Sequence, residues 1–149
     1  KYKSQNKWDM WAATDPDLEK DITGSYEVSV SDNMDMVMET TRQLREFCNA
    51  HQLGAGKSFR ICLAVEEIAG NIVEHGFTGK KGKHFIDLRL TLEKDGSGCL
   101  SLRDNGVKFN PLEYRNRDTQ YGLAIIRGIS EKIDYHYVAS MNCLNVMIR

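Results

Sequence analysis

The chain has 149 residues, 41% of them hydrophobic, and a formal net charge of −1. That suits one globular domain with a proper core, and it gives no electrostatic case for nucleic acid or an acidic membrane surface. No apolar run approaches a membrane span, no signal-peptide pattern opens the chain, and Cys48, Cys62, Cys99 and Cys143 form no C-x-x-C pair. Three of these cysteines sit in apolar patterns, which predicts buried reduced thiols and a cytoplasmic composition. The chain begins at Lys1 rather than Met, the start expected of a fragment excised from a longer protein.

Residues 1–24 are polar and low in aliphatics, yet Trp8, Met10 and Trp11 lie close together. They read either as a linker whose tryptophans pack on the domain surface or as a segment that docks an upstream domain or second subunit. Residues 25–149 form the domain. Tyr26 to Val30 alternates as a strand, and Ser31 or Asp32 is placed to cap a helix that runs to about His51. Its inner side is expected to carry Met34, Val37, Met38, Leu44, Phe47 and Cys48. Gly54-Ala-Gly-Lys-Ser58 contains the Gly-Lys-Ser of a phosphate-binding P-loop. His51 stands where that motif needs its first glycine, and helix rather than strand precedes it, so a helix-to-helix turn is the better reading.

The next helix carries the stretch Leu63 to Phe77, LAVEEIAGNIVEHGF. Ile61, Val65, Ile68, Ala69, Ile72 and Val73 recur at three- and four-residue steps and make one buried stripe. Glu67, Asn71 and His75, four apart, line a second face with a carboxylate, an amide and an imidazole. By spacing alone that face reads as solvated before it reads as a site.

Thr78 to His84 is a basic, glycine-bearing turn, most simply a solvated loop. Phe85 to Leu92 and Cys99 to Arg103 are strands of a hairpin that turns at Asp95-Gly-Ser-Gly98. The second strand runs into Asp104-Asn-Gly106, by itself an ordinary turn. Pro111 to Gln120 is a charged connection, Gly122 to Lys132 a helix with Leu123, Ile125, Ile126 and Ile129 inward. Ile133 to Val138 and Leu144 to Ile148 close a second hairpin around Ser140-Met-Asn142. The order β-α-α-β-β-α-β-β predicts a two-layer α/β sandwich, a mostly antiparallel sheet with helices packed on one face.

The helix Glu67-x-x-x-Asn71, the strand-end Asp104-x-Gly106 and the Gly122-Leu123 helix start occur in that order. Together they resemble the three boxes of the histidine-kinase-like ATPase superfamily, with its Bergerat ATP-binding fold. EEIAGNIVEHGF is most similar to the anti-sigma-factor serine/threonine kinases, in which a Glu precedes the Asn by four and a His-Gly-aromatic closes the box. The resemblance covers about Tyr26 to Arg149 and implies ATP and Mg2+ as cofactors. It implies that Asn71 supplies the side-chain oxygen on magnesium and that Glu67 takes the proton from an attacking hydroxyl. Asp104 then accepts a hydrogen bond from the adenine amino group, and Gly106 lets the backbone lie close to the base. Gly122 and Leu123 bring free N–H groups of a helix start to the phosphates. His75 is left two roles, packing on the nucleotide or capping structure.

Three departures stand out. Lys108 replaces the second glycine of Asp-x-Gly-x-Gly, Ala124 ends the Gly-Leu-Gly pattern, and the lid from Pro111 to Gly122 is short, with Arg115 and Arg117 able to reach phosphates. Lys-Phe-Asn-Pro-Leu after the aspartate does resemble a subgroup of anti-sigma-type domains. The function implied is transfer of the ATP γ-phosphate to a Ser or Thr of an antagonist protein, with ATP or ADP and a sigma-factor or antagonist-type protein as partners. A homodimer is allowed; direct nucleic-acid or membrane contact is not expected. Two alternatives stand beside it: the catalytic domain of a sensor histidine kinase, although residues 1–24 hold no His, and a non-catalytic, nucleotide-dependent binding module.

Overall fold

The structure, a computed structural model, describes residues 22–113 and 120–149, with side chains of 120–123 left aside. Trp8, Met10, Trp11, Arg115 and Arg117 therefore lie outside the described residues. Strand β1 (Ile22–Val30) is followed by helices α1 (Met34–Ala50) and α2 (Ala55–Asn71), a π-turn (Ile72–Gly76) and the hairpin β2 (Ile86–Glu93) and β3 (Gly98–Asp104). Helix α3 (Gln120–Ile129) and the hairpin β4 (Ser130–Val138) and β5 (Met141–Ile148) complete the chain. The sheet is antiparallel throughout, in the order β1-β2-β3-β5-β4, with the helices on one face. This is the expected α/β sandwich.

The inner face of the sheet is aliphatic. Leu88, Leu90 and Leu92 of β2, Leu100 and Leu102 of β3, and Leu144, Val146 and Ile148 of β5 pack with Val37, Leu44, Ile61, Val65, Ile68 and Ile72 from the helical layer. Each such side chain contributes about 1.5–3 kcal/mol when fully buried. The alternate residues point the other way, and there Arg103 and Asp87 form an ion pair, Nη2 to Oδ2 3.2 Å. Cys48, Cys62 and Cys143 are buried and all four cysteines are free, with burial pushing the Cys48 and Cys143 thiols up to about 11.

Several boundaries move. β1 starts at Ile22 rather than Tyr26. The cap of α1 is Asn33, whose side chain accepts from Asp35 N and Met36 N, in place of Ser31 or Asp32. That rotates the stripe, so Val37, Thr40, Thr41, Leu44 and Cys48 face inward while Met34 and Met38 are exposed. Helix α2 starts at Ala55, with Gly54 at φ 90°, a left-handed conformation open to glycine. Lys57 has no phosphate-loop geometry. Its Nζ donates to the carbonyls of Gly96 and Arg149, and Ser58 is buried. Hairpin β4–β5 turns on Ala139 and Ser140, both at positive φ, so β5 begins at Met141 and Asn142 lies in the sheet, not in the turn.

The loop read as solvated contains a clamp. His84 stacks on Phe77, ring centroids 4.4 Å apart, and its Nδ1 faces Asp32 Oδ2 at 2.7 Å while Nε2 faces the Lys80 carbonyl at 2.8 Å. Two acceptors need two N–H donors, so the ring is held as imidazolium. The Asp32 hydrogen bond, with the Lys80 carbonyl behind it, raises the His84 pKa above its ordinary 6.5. The contribution of the clamp to stability is therefore full below about pH 6.5 and is lost as the pH climbs through the raised value. Thermal unfolding of wild type and His84→Leu should show a gap that is widest at about pH 6 and narrows as the pH rises above about 6.5. A gap constant over that range excludes the charged clamp.

Candidate functional site

The first two expected boxes meet at one end of the molecule, where β3 ends, β5 begins and α2 passes into the π-turn. The joint between them is the loop after Asp104. Val107 N donates to the Gly76 carbonyl at 2.9 Å, the Phe109 ring faces His75 at 6.3 Å between centroids, and Asn71 Nδ2 donates to the Pro111 carbonyl at 3.4 Å. Asn105 ties the start of the same loop to the strand before it, accepting from Phe85 N and donating to the Lys83 carbonyl.

Glu67 and Asn71 lie one turn apart on regular α-helix and share a face, Glu67 half-buried and Asn71 buried. With its amide nitrogen engaged by Pro111, Asn71 has Oδ1 as the end left to offer a ligand. A magnesium ion accepts such an oxygen, so the residue fits the group. Among the described residues no cluster of three His, Cys, Asp or Glu is placed to hold a metal by itself, so phosphate oxygens and water would complete its shell. His75 departs from the shared face. The π-turn widens the helix by a residue per turn, so the four-residue spacing no longer stacks His75 above Asn71. Its ring lies near Phe109, and Nε2 is 2.9 Å from Glu74 Oε1.

Asp104 ends β3 on the inner face, buried, with Oδ1 accepting from Gly106 N at 2.9 Å and from Asn142 Nδ2 at 3.0 Å. Burial pushes its carboxyl up to about 6, against the pull of those two donors. At neutral pH it is chiefly an acceptor-only carboxylate. Gly106 owes its identity to a different neighbour than expected. A Cβ there would stand 2.3 Å from the Gly76 carbonyl oxygen, so the helix end by itself already demands glycine. Gly122 is likewise not the first residue of its helix, because α3 starts at Gln120. Gly122 and Leu123 still fall among the first four helical residues, whose N–H groups have no partner within the helix.

Asn142 is the residue that sequence reasoning missed. Its Nδ2 donates to Asp104 Oδ1 and to the Val107 carbonyl, and its Oδ1 accepts from Phe109 N and the Tyr135 hydroxyl. Every hydrogen-bonding position of the amide is filled. Beside Ser140 it reads as a turn former. The signal that singles it out is the register Asp104↔Asn142 across β3 and β5, which no local pattern carries.

Residues 30–148 match the family model of the histidine kinase-like ATPase domain. The chain belongs to that family. No curated protein matches this histidine kinase-like ATPase domain by sequence. Among solved structures, the RsbU and RsbW domains of Rv1364c from Mycobacterium tuberculosis superpose with a TM-score of 0.64 at 21% identity, covering 85% of this chain and 32% of that one. A chain of the SiaB–SiaC complex from Pseudomonas aeruginosa gives 0.62 at 15% identity, over 97% and 99% of the two chains. The histidine kinase domain of a blue-light activated histidine kinase from Erythrobacter litoralis gives 0.51 at 17%, over 61% and 43%. These likenesses are of fold. The ATPase domain here spans about a third of the mycobacterial chain and less than half of the Erythrobacter one.

A cleft of about 460 Å³ lies at the opposite end of the sheet and is lined by His51, Lys57, Glu93, Lys94 and Asp95 among others. Its mixed charges and the engagement of Lys57 with two carbonyls set it apart from the family site.

Gly106→Ala should break the Val107–Gly76 contact and destabilise the domain by about 1–3 kcal/mol, the usual cost of forcing a methyl into a packed site. It should also weaken ATP binding more than an exposed control such as Gly128→Ala, whose added Cβ meets nothing within 4 Å. Denaturant melts and ATP titration of both variants check this; equal behaviour removes the helix–loop joint from the site.

Proposed function

We propose that this domain is an ATP-dependent serine/threonine protein kinase of the anti-sigma-factor type. The observation that carries the proposal is the pair Glu67 and Asn71, one turn apart on a helix whose end is bolted to the Asp104 loop. Asp104 receives the adenine amino group, and the first turn of α3 meets the phosphates with its free N–H groups. Asn71 Oδ1 is the protein ligand for magnesium, which when bound draws charge from the phosphate oxygens. Glu67 then accepts the proton of a Ser or Thr hydroxyl on a partner protein. The hydroxyl oxygen bonds to the γ-phosphorus as the bond to the β–γ bridging oxygen breaks, and ADP leaves. A carboxylate suits this step because a hydroxyl, unlike an imidazole, must lose its proton to become a good nucleophile.

The likeness to a chain of the SiaB–SiaC complex along nearly the whole of both chains, and to a chain carrying RsbU and RsbW domains, supports a protein partner in the same role. No helix among the described residues is long and apolar enough to cross a membrane, and the four free thiols accord with a cytoplasmic setting.

Titration with ATP and ADP, with and without magnesium, tests binding, and phosphate release tests turnover. Glu67→Ala should keep Mg-ATP affinity nearly unchanged while turnover falls by about 10²-fold or more. Asn71→Ala should remove the magnesium dependence of ATP binding in a protein that still folds. Turnover equal to wild type in Glu67→Ala points instead to a binding module. Unaltered Mg-ATP affinity in Asn71→Ala removes the magnesium assignment.

A further inference from the structure

The two oxygens of Asp104 are not equivalent. Gly106 N and Asn142 Nδ2 both donate to Oδ1, and among the described residues Oδ2 takes no hydrogen bond. The side chain is only 2% exposed. A carboxylate oxygen without a protein donor, on a residue this buried, leaves that place to a ligand. Asn142 cannot turn away from this arrangement, because Val107, Phe109 and Tyr135 hold the rest of its amide.

We propose that Asn142 is the positioning residue for base choice: with Gly106 it saturates Oδ1, so Oδ2 alone reads position 6 of the purine, and the proton on Oδ2 decides between a 6-amino and a 6-oxo base. This rests on the nucleotide reading above and adds to it a regulated specificity. Oδ1, facing two N–H groups, has no room for a hydrogen of its own, so protonation falls on Oδ2. Ionised, Oδ2 only accepts, which suits the amino group of adenine. Neutral, it donates, which suits the carbonyl of hypoxanthine or guanine.

The surroundings let this titration proceed near neutrality. Burial already brings Asp104 to about 6. Tyr135 from β4 and Cys143 from β5 feel its charge, and burial raises both, so they stay neutral over the working range. The π-turn brings the Gly76 carbonyl and His75 to the same loop; Lys108 lies over the Tyr137 ring, 5.9 Å from its centroid. Arg103, next along β3, pairs with Asp87 on the opposite face.

The test is titration of the full chain with ATP and inosine triphosphate from about pH 5 to about pH 8. Inosine lacks the 2-amino group of guanosine, so a 6-oxo base is offered without an added substituent. The wild-type ratio of ATP to inosine triphosphate affinity should fall about tenfold on acidification, one pH unit of differential binding per tenfold, with its midpoint near the Asp104 value of about 6. Asp104→Asn should flatten that dependence. Asn142→Ala removes one donor to Oδ1, so its midpoint should move to about tenfold lower proton concentration, with a smaller ratio at about pH 7.5. Tyr135→Phe loses only the hydroxyl that holds Asn142 and should shift the profile in the same direction, which keeps the test open if Asn142→Ala does not fold.

A merely structural Asn142 would lower the melting temperature and both affinities together and leave the ratio and its midpoint as in wild type; that result overturns the proposal. A flat ratio in wild-type protein that binds ATP also overturns it while the nucleotide reading stands. Failure to bind either nucleotide at any pH removes both.

Discussion

The carbonyl of Gly76 and the amide of Val107 meet at 2.9 Å, and the candidate site depends on that contact. Through it the end of the central helix presses on the loop after Asp104, closely enough that position 106 has no room for a Cβ. The π-turn makes the approach possible, since a wider helical turn carries Gly76 outward to where the loop passes. With helix and strand end locked together, Asn71 and Asp104, 33 positions apart in the chain by their numbers, become parts of one rigid frame. A site that must hold a nucleotide at both its base and its phosphates needs such rigidity, because small displacements cost much in positioning.

A second constraint is electrostatic. A carboxylate as buried as Asp104 is unstable unless donors compensate its lost water, and two N–H groups on one oxygen do so only in part. The uncompensated part of that burial raises its pKa. The asymmetry follows from the strand register, which brings Asn142 opposite Asp104, so that its amide and Gly106 N both donate to Oδ1. The fully bonded amide of Asn142 is therefore the more rigid partner, and the carboxylate takes its orientation from it.

The family assignment and the departures from the family pattern bear on different questions. Belonging to the histidine kinase-like ATPase domain accounts for the sheet, the helix order and the place of the three boxes. It does not decide between phosphoryl transfer and regulated binding. Lys108, in place of a second glycine, turns toward the ring of Tyr137 at the sheet edge, so its side chain need not occupy the base site.

Periodicity alone determined the class of fold, because alternation of two and steps of three or four directly state which faces are apolar. The order of elements, the aliphatic stripe of α2 and the buried thiols are all legible in that way. So is the family, since three boxes in order carry more information than each one alone. Local features were less legible: Asn33, not Ser31 or Asp32, caps α1, and with it Met34 and Met38 turn outward. What only the tertiary structure decided are the contacts between residues distant in the chain. The π-turn that moves His75, the Gly76 carbonyl that demands Gly106, the His84–Asp32 clamp and the Asn142 amide around Asp104 are such contacts. Each depends on strand register and helix approach, which follow from packing of the whole core and leave no mark in the neighbouring sequence.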